Sequence, residues 1–199
     1  MSNALNALQS LGVLMVDGHF DYGNGYHGTV YLNPHRLFQQ PGTIWRLAQD
    51  LIARMPGDLV AATQVVCGPV MGGALLAHTI AGLLDGHRPL SQPASQFAPI
   101  SVDNTGTMVL RAFYRDVVRG KRVLLADDVR NTGKTFERAK ALIEDAGGEV
   151  IATVQICDRL EALVTLDVPN IALAEYPAPE NYPADACPLC EAGKLVDRF

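Results

Sequence analysis

A chain of 199 residues that is 48% hydrophobic, 19% charged and 7% aromatic has the length of one α/β domain, or of one domain with a small appended subdomain. Solenoids and fibres are excluded because no period recurs and 18 Gly with 12 Pro fall far below collagen-like usage, and disorder because this much apolar surface offsets the entropy of ordering the chain. Sixteen Lys and Arg against 21 Asp and Glu give a net charge of −5 with no basic block, so nucleic acid is not an expected partner, and a polyanionic ligand has to be held by backbone amides, a few placed cations or a metal ion.

Leu5, Leu8 and Leu11 share one helical face ahead of Gly12, which predicts a short amphipathic helix. The segment GHFDYGNGYHGTVYLNPH alternates like a bent hairpin. Pro41 and Gly42 precede Ile44, Leu47, Leu51 and Met55, a helical spacing that ends at Pro56. TQVVC then reads as a buried strand, GPVMGG as a glycine loop and ALLAHTIAGLL as an apolar helix, which together begin a βαβ unit. Residues 88–98 carry only a faint strand signal. PISVDNTGT, Pro99 to Thr107, reads as an exposed loop and MVLRAFY as a strand, so this stretch suggests a hairpin arm.

Val123 to Ala126 form a buried-strand run followed by the polar segment Asp127 to Lys134. A helix with Phe136, Ala139, Ile143 and Ala146 on one face comes next, then Gly147-Gly148 and the apolar strand VIATVQIC. Two such units in succession predict a mostly parallel twisted sheet flanked by helices, with ligand at the carboxyl ends of its strands. PNIALAEY is a candidate last strand, and PAPENYPADACPLCEAGKLVDRF a surface tail. No linker interrupts residues 1–199, which read as one domain with an N-terminal appendage.

Four cysteines are too few for a disulfide scaffold, and Cys67 and Cys157 lie in predicted strands. The N-terminal MSNALNALQSLGVLMV lacks the basic region of a signal peptide, and no uncharged stretch reads as a bilayer span. The expected compartment is therefore the cytoplasm, with no membrane partner.

The chemistry concentrates in VLLADDVRNTGKT. Asp127 and Asp128 close a buried strand, and the helix that follows offers free amides and a dipole to an anion, with Thr132 and Thr135 as hydroxyl donors. Carboxylates beside a phosphate pocket need other partners, of which ribose hydroxyls and hydrated Mg²⁺ are the obvious ones. A Walker A reading fails because that motif requires glycine where Asp128 stands. A plain helix cap would account for one of the carboxylates at most.

These thirteen residues resemble the phosphoribosyl diphosphate (PRPP) signature of type I phosphoribosyltransferases, and CGPVMGGALLA resembles the pyrophosphate loop of the same family. Four further segments, GHFDYGNGYHGTVYL, MVLRAF, ICDR and YPADACPLCEAG, resemble in order those of the orotate phosphoribosyltransferases. The resemblance implies a type I phosphoribosyltransferase fold with a hood formed by about residues 1–35 and the C-terminal tail. It also implies transfer of the phosphoribosyl group of PRPP to orotate with Mg²⁺ as cofactor, in a homodimer whose arms cross at the active sites.

Carried over by position, the resemblance puts Asp127 and Asp128 on the ribose hydroxyls. Arg130, Asn131, Thr132, Gly133, Lys134 and Thr135 surround the 5-phosphate. Gly68, Pro69, Val70, Met71, Gly72 and Gly73 line the diphosphate. His27, with the backbone of Tyr31 and Leu32, borders the base, Arg159 holds the orotate carboxylate, and Arg111 approaches the diphosphate as a catalytic cation. The Mg²⁺ is carried by PRPP and water, with no direct protein ligand. His19, His35, His78 and His87 have no motif partner. Cys187 and Cys190 have the spacing of a zinc-ligand pair, but the absence of a second pair argues against a complete zinc site. The loop 99–107 contains no cation, which keeps two other readings open: transfer to a different base, or a non-catalytic PRPP- or nucleotide-binding regulator on the same fold.

Overall fold

Strands rich in Val, Leu, Ile and Ala form the centre of the computed structural model, which describes residues 3–22, 25–161, 164–177 and 181–198. Helix α1 (Asn3–Ser10) leads into four short strands, β1 (Leu14–Met15), β2 (Phe20–Asp21), β3 (Tyr26–Gly28) and β4 (Tyr31–Leu32). Helices α2 (His35–Phe38), α3 (Pro41–Arg54) and α4 (Gly57–Ala62) precede β5 (Val65–Pro69) and α5 (Gly72–Gly86). Then come β6 (Gln96–Val102), β7 (Met108–Val109), α6 (Ala112–Val118), β8 (Arg122–Arg130), α7 (Lys134–Asp145), β9 (Glu149–Asp158) and β10 (Asn170–Glu175). The tail adds β11 (Tyr182–Pro183), a 3₁₀ turn and α8 (Pro188–Glu191).

The main sheet has the order β10-β9-β8-β5-β6-β7 and is parallel except for β7. Alternate residues of its inner strands feed two cores, as a sheet covered on both faces requires. Val66, Leu124, Ala126, Ala152 and Val154 pack with Leu47, Leu51, Leu76 and Ile80 of α3 and α5. Val65, Cys67, Val123, Leu125 and Val150 pack on the other side with Phe136, Ala139 and Ile143 of α7. From β5 the chain steps outward to β6, then returns across β5 to β8 and continues outward in the opposite direction. The carboxyl ends of β5 and β8 therefore flank the crevice in which open α/β sheets bind ligands.

Two expectations are corrected. Residues 99–102 belong to β6 rather than to a loop, and the turn of residues 103–107 is closed by the Asp103 amide donating to the Thr107 carbonyl at 2.9 Å. MVLRAFY is strand only over Met108–Val109, and from Ala112 it is helix. Val118 is buried while Tyr114 and Val117 are partly buried against the same core, a helical spacing that a short apolar run does not reveal. Helix α4 has no counterpart in the sequence reading.

The N-terminal strands form two small antiparallel sheets, β1-β4 and β11-β3-β2, so the C-terminal tail is built into the N-terminal region through β11. The Asp197 amide donates to the His19 carbonyl at 2.7 Å, and Lys194 Nζ donates to the carbonyls of Asp17 and Gly18 at 2.8 and 2.9 Å. Residues 1, 2, 23, 24, 178–180 and 199, within the segments read as hood and tail, lie outside the described residues.

Candidate active site

At the β5–β8 crevice a cavity of about 560 Å³ is lined by Tyr22, Tyr31, Leu32, Pro34, Asp127, Asp128, Val129, Asn131, Thr132, Thr135, Arg159, Glu161 and Asn181. A smaller one of about 90 Å³ adjoins it between Val129 and Phe136, under the loop that starts α7. A third cavity, about 580 Å³, opens among Thr63, Gln64, Gln96 and Arg122 at the amino ends of the strands, away from these groups.

The acidic pair ends the buried part of β8. The Asp128 amide donates to Asp127 Oδ1 at 2.9 Å, and the Val129 amide donates to Asp128 Oδ1 at 2.7 Å. Burial, followed by the charge of Asp128, pushes the Asp127 carboxyl well above the usual carboxylate range. Burial also raises Asp128, against the pull of the Val129 amide and the His35 charge. Among the described residues, no Lys or Arg forms an ion pair with either carboxylate.

The glycine loop is glycine-rich because it lies against this pair. A Cβ on Gly72 would fall on the Asp128 carboxylate, and one on Gly73 would come within 2.7 Å of Asp127 Oδ1 and 2.8 Å of the Ala126 carbonyl. Gly133, ahead of α7, has φ +85°, a conformation that glycine adopts without strain. Beyond it Thr135 and Phe136, in the first turn of α7, border the smaller cavity.

Arg159 follows β9. Its backbone amide donates to the Arg130 carbonyl at 2.8 Å, and the residue is 8% exposed. Its Nε and Nη2 are buried without a hydrogen-bond partner, while Glu161 Oε1 stands 3.6 Å from Nη2. Burial pushes the Tyr22 hydroxyl up, opposed by the Arg159 charge, and that hydroxyl donates to the Val30 carbonyl at 2.7 Å. A side chain on Gly28 would strike the Tyr22 hydroxyl, so glycine at 28 and tyrosine at 22 fit together.

Asp127, Asp128, Asn131, Thr132, Thr135, Tyr31, Leu32 and Arg159 thus meet at one cavity. Other residues assigned by resemblance stand elsewhere. His27 is absent from the cavity lining and instead has Nδ1 3.0 Å from His19 Nε2. Arg130 lines the smaller cavity, but its Nη1 pairs with Asp158 at 3.1 Å and its Nη2 donates to the Val164 carbonyl at 2.8 Å, because the buried Asp158 carboxylate requires a cation. Lys134 is exposed and outside both linings, as is Arg111 at the N-terminus of α6. The sequence reading did not single out Tyr22, Glu161 or Asn181. Tyr22 had a signal in its aromatic, glycine-rich segment, whereas Asn181, whose Oδ1 is buried and unpartnered, had none.

Residues 40–169 match the model of the phosphoribosyl transferase domain. The orotate phosphoribosyltransferase of Acidithiobacillus ferrooxidans is 33% identical over 180 residues, covering 90% of this chain and 86% of that protein. Among solved structures, the orotate phosphoribosyltransferase of Aeropyrum pernix superposes with a TM-score of 0.65 at 22% identity, covering 85% of this chain and 92% of that one. That of Mycobacterium tuberculosis in complex with 5-phospho-α-D-ribosyl 1-diphosphate superposes with a TM-score of 0.56 at 21% identity, over 86% of this chain and 94% of that one. With its parallel sheet, acidic strand end and glycine loop, this chain belongs to the phosphoribosyltransferase family, in the company of relatives named orotate phosphoribosyltransferase.

Proposed function

We propose that the protein transfers the 5-phosphoribosyl group of PRPP to orotate, forming orotidine 5′-phosphate and releasing diphosphate. The observation that carries this reading is Arg159, a buried guanidinium whose Nε and Nη2 have no hydrogen-bond partner and whose nearest carboxylate, Glu161, stands 3.6 Å from Nη2, in the wall of the cavity that holds the acidic pair. A guanidinium fork in that position suits a planar carboxylate, and orotate carries one beside its ring nitrogen. The relatives' name points to the same base.

In this reading the ring nitrogen forms a bond to ribose C1 as the bond from C1 to the diphosphate oxygen breaks. The proton on that ring nitrogen, made acidic by the ring carbonyls, leaves to the departing diphosphate or to water, so the reaction asks for positioning more than for a strong protein base. Asp127 and Asp128 face the ribose hydroxyls, and their charge balances the cationic character that ribose acquires. Asn131 to Thr135 hold the 5-phosphate through loop amides and hydroxyls, and Gly68 to Gly73 present amides to the diphosphate. Mg²⁺ bound with PRPP would neutralise charge on the diphosphate; Asp127 and Asp128, which among the described residues pair with no Lys or Arg, fit a site completed by a cation and hydroxyls.

Arg111 is proposed to reach the diphosphate of a second copy, since in its own chain it stands outside the cavity. Exposed Val70, Met71 and Leu75 at the start of α5 supply apolar surface for such a homodimer. Free thiols at buried Cys67 and Cys157 suit a cytoplasmic setting. No helix among the described residues is long and apolar enough to cross a membrane.

A second reading, a PRPP-binding regulator, draws on the turn at 103–107. It has no cation and is fixed around the Asp103 carboxylate, which accepts from the amides of Thr105 and Thr107 at 2.8 and 3.0 Å. Incubation with PRPP, Mg²⁺ and either orotate, uracil or a purine separates the readings. Diphosphate release that depends on orotate supports the first. PRPP binding without turnover on any base supports the second, and turnover on a purine alone moves the assignment to another base.

A further inference from the structure

The hood brings four metal-ligating side chains from the two ends of the chain to one point. His19 stands immediately before β2 and His27 lies in β3, on paired antiparallel strands in which Asp21 faces His27. Strand β11 lies on the other side of β3 with Tyr182 facing His27, and after it α8 delivers Cys187 at its N-terminal cap and Cys190 one turn later. His19 Nε2 is 3.0 Å from His27 Nδ1, 3.5 Å from Cys187 Sγ and 3.6 Å from Cys190 Sγ. Cys190 Sγ is 3.3 Å from His27 Nδ1, and all four ligand atoms lie within 4.8 Å of one another.

Ligand bonds of about 2.0–2.1 Å to nitrogen and 2.3 Å to sulfur place the corners of a tetrahedral zinc site about 3.3–3.8 Å apart, and the 3.0–3.6 Å separations of this cluster reach that geometry with small side-chain adjustments. Hydrogen bonding explains it poorly, because thiols are weak donors and four such groups converging on one point satisfy few of one another's needs. His19 Nδ1 lies 2.9 Å from the Lys194 carbonyl, an acceptor that fixes the proton on Nδ1 and leaves the Nε2 lone pair facing the cluster. His19, His27 and Cys187 are buried, and both cysteines are free of disulfides.

We propose that His19 Nε2, His27 Nδ1 and the thiolates of Cys187 and Cys190 bind one zinc ion that staples the C-terminal tail to the hood. Binding sends both thiol protons to solvent, and the two thiolates cancel the charge of the ion, so the largely buried site is neutral. The strands it joins are two or three residues long, too short to hold register by themselves, so the ion contributes folding energy where the sheet is weakest. The site is a structural one and does not depend on which base the enzyme uses.

The test is metal analysis of the full chain purified without chelator, with titration of the metal-stripped chain by Zn²⁺ against a chromophoric chelator and by Co²⁺ as a spectroscopic probe. One zinc per chain is expected, with the intense visible bands of tetrahedral Co²⁺ and thiolate charge transfer. Cys187→Ser with Cys190→Ser should lose metal and bands together and lower Tm. If that variant fails to fold, the titration of the wild-type chain decides alone. A wild-type chain that holds no zinc and fails to compete with the chelator, or a double variant that retains full stoichiometry, overturns the proposal. So does a Cys187–Cys190 disulfide whose reduction yields no metal binding.

Discussion

Asp127 and Asp128 sit where burial opposes their charge, and this has a measurable consequence. Their folded-state pKa values are raised, so between the unfolded carboxylate value and the folded value the native chain holds more protons than the unfolded one. Stability is then lost as pH rises through that window. Asp127→Asn with Asp128→Asn should abolish turnover yet melt above wild type, by a margin that widens as pH rises from about 4. A margin independent of pH would show that the pair is not strained by burial. That Asp127, Asp128 and Arg159 would meet at one cavity was legible, the pair from two carboxylates ending an apolar run and Arg159 from the family resemblance. His27 was not, since turn histidine, base contact and metal ligand look alike until the strand beside it is known.

At the scale of elements, the glycines of the β5–α5 junction separate by what surrounds them. Gly73 is hemmed in by Pro69, Asp127 and the Ala126 carbonyl, whereas nothing lies within 4 Å of a Cβ added to Gly82 in the middle of α5. Gly73→Ala should cost about 1–3 kcal/mol by overpacking, and Gly82→Ala should stabilise by about 0.5–1 kcal/mol by removing backbone freedom from a helix. Thermal or denaturant unfolding reads both, and the same sign at both positions would contradict the packing described. Buried strands and amphipathic helices were readable from period alone: α3, α5, α7, β5, β8 and β9 all stand where the pattern put them. The β6–α6 segment was not, because its apolar runs are too short to distinguish a strand from one helical turn.

On the scale of the whole molecule, the family resemblance paired about residues 1–35 with the C-terminal tail, but did not reveal the individual contacts that join them. The hood is assembled from both ends of the chain, with Cys187 reaching His19 across 168 positions, and local periodicity carries no record of such a contact. The proposed homodimer, with arms crossing between its copies, belongs to this scale as well. Arg111→Ala should lower turnover about a hundredfold, as removal of one preorganised charge stabiliser does. Subunit exchange between this variant and Asp127→Asn with Asp128→Asn should regain activity, because one site of the hybrid dimer would hold an intact acidic pair and an intact arm. Hybrids no more active than their parents would place Arg111 in its own subunit or outside the reaction.

The buried guanidinium of Arg159 is proposed to receive the carboxylate of the base, and the kinetics of Arg159→Ala with both substrates decide whether it does. A charge-assisted hydrogen bond of about 1.5–3 kcal/mol corresponds to roughly ten- to a hundredfold in affinity. The KM for orotate should therefore rise by that factor while the KM for PRPP stays near its wild-type value, and the preference for orotate over uracil should shrink with it. Equal weakening of both substrates, or an unchanged preference, would contradict the assignment.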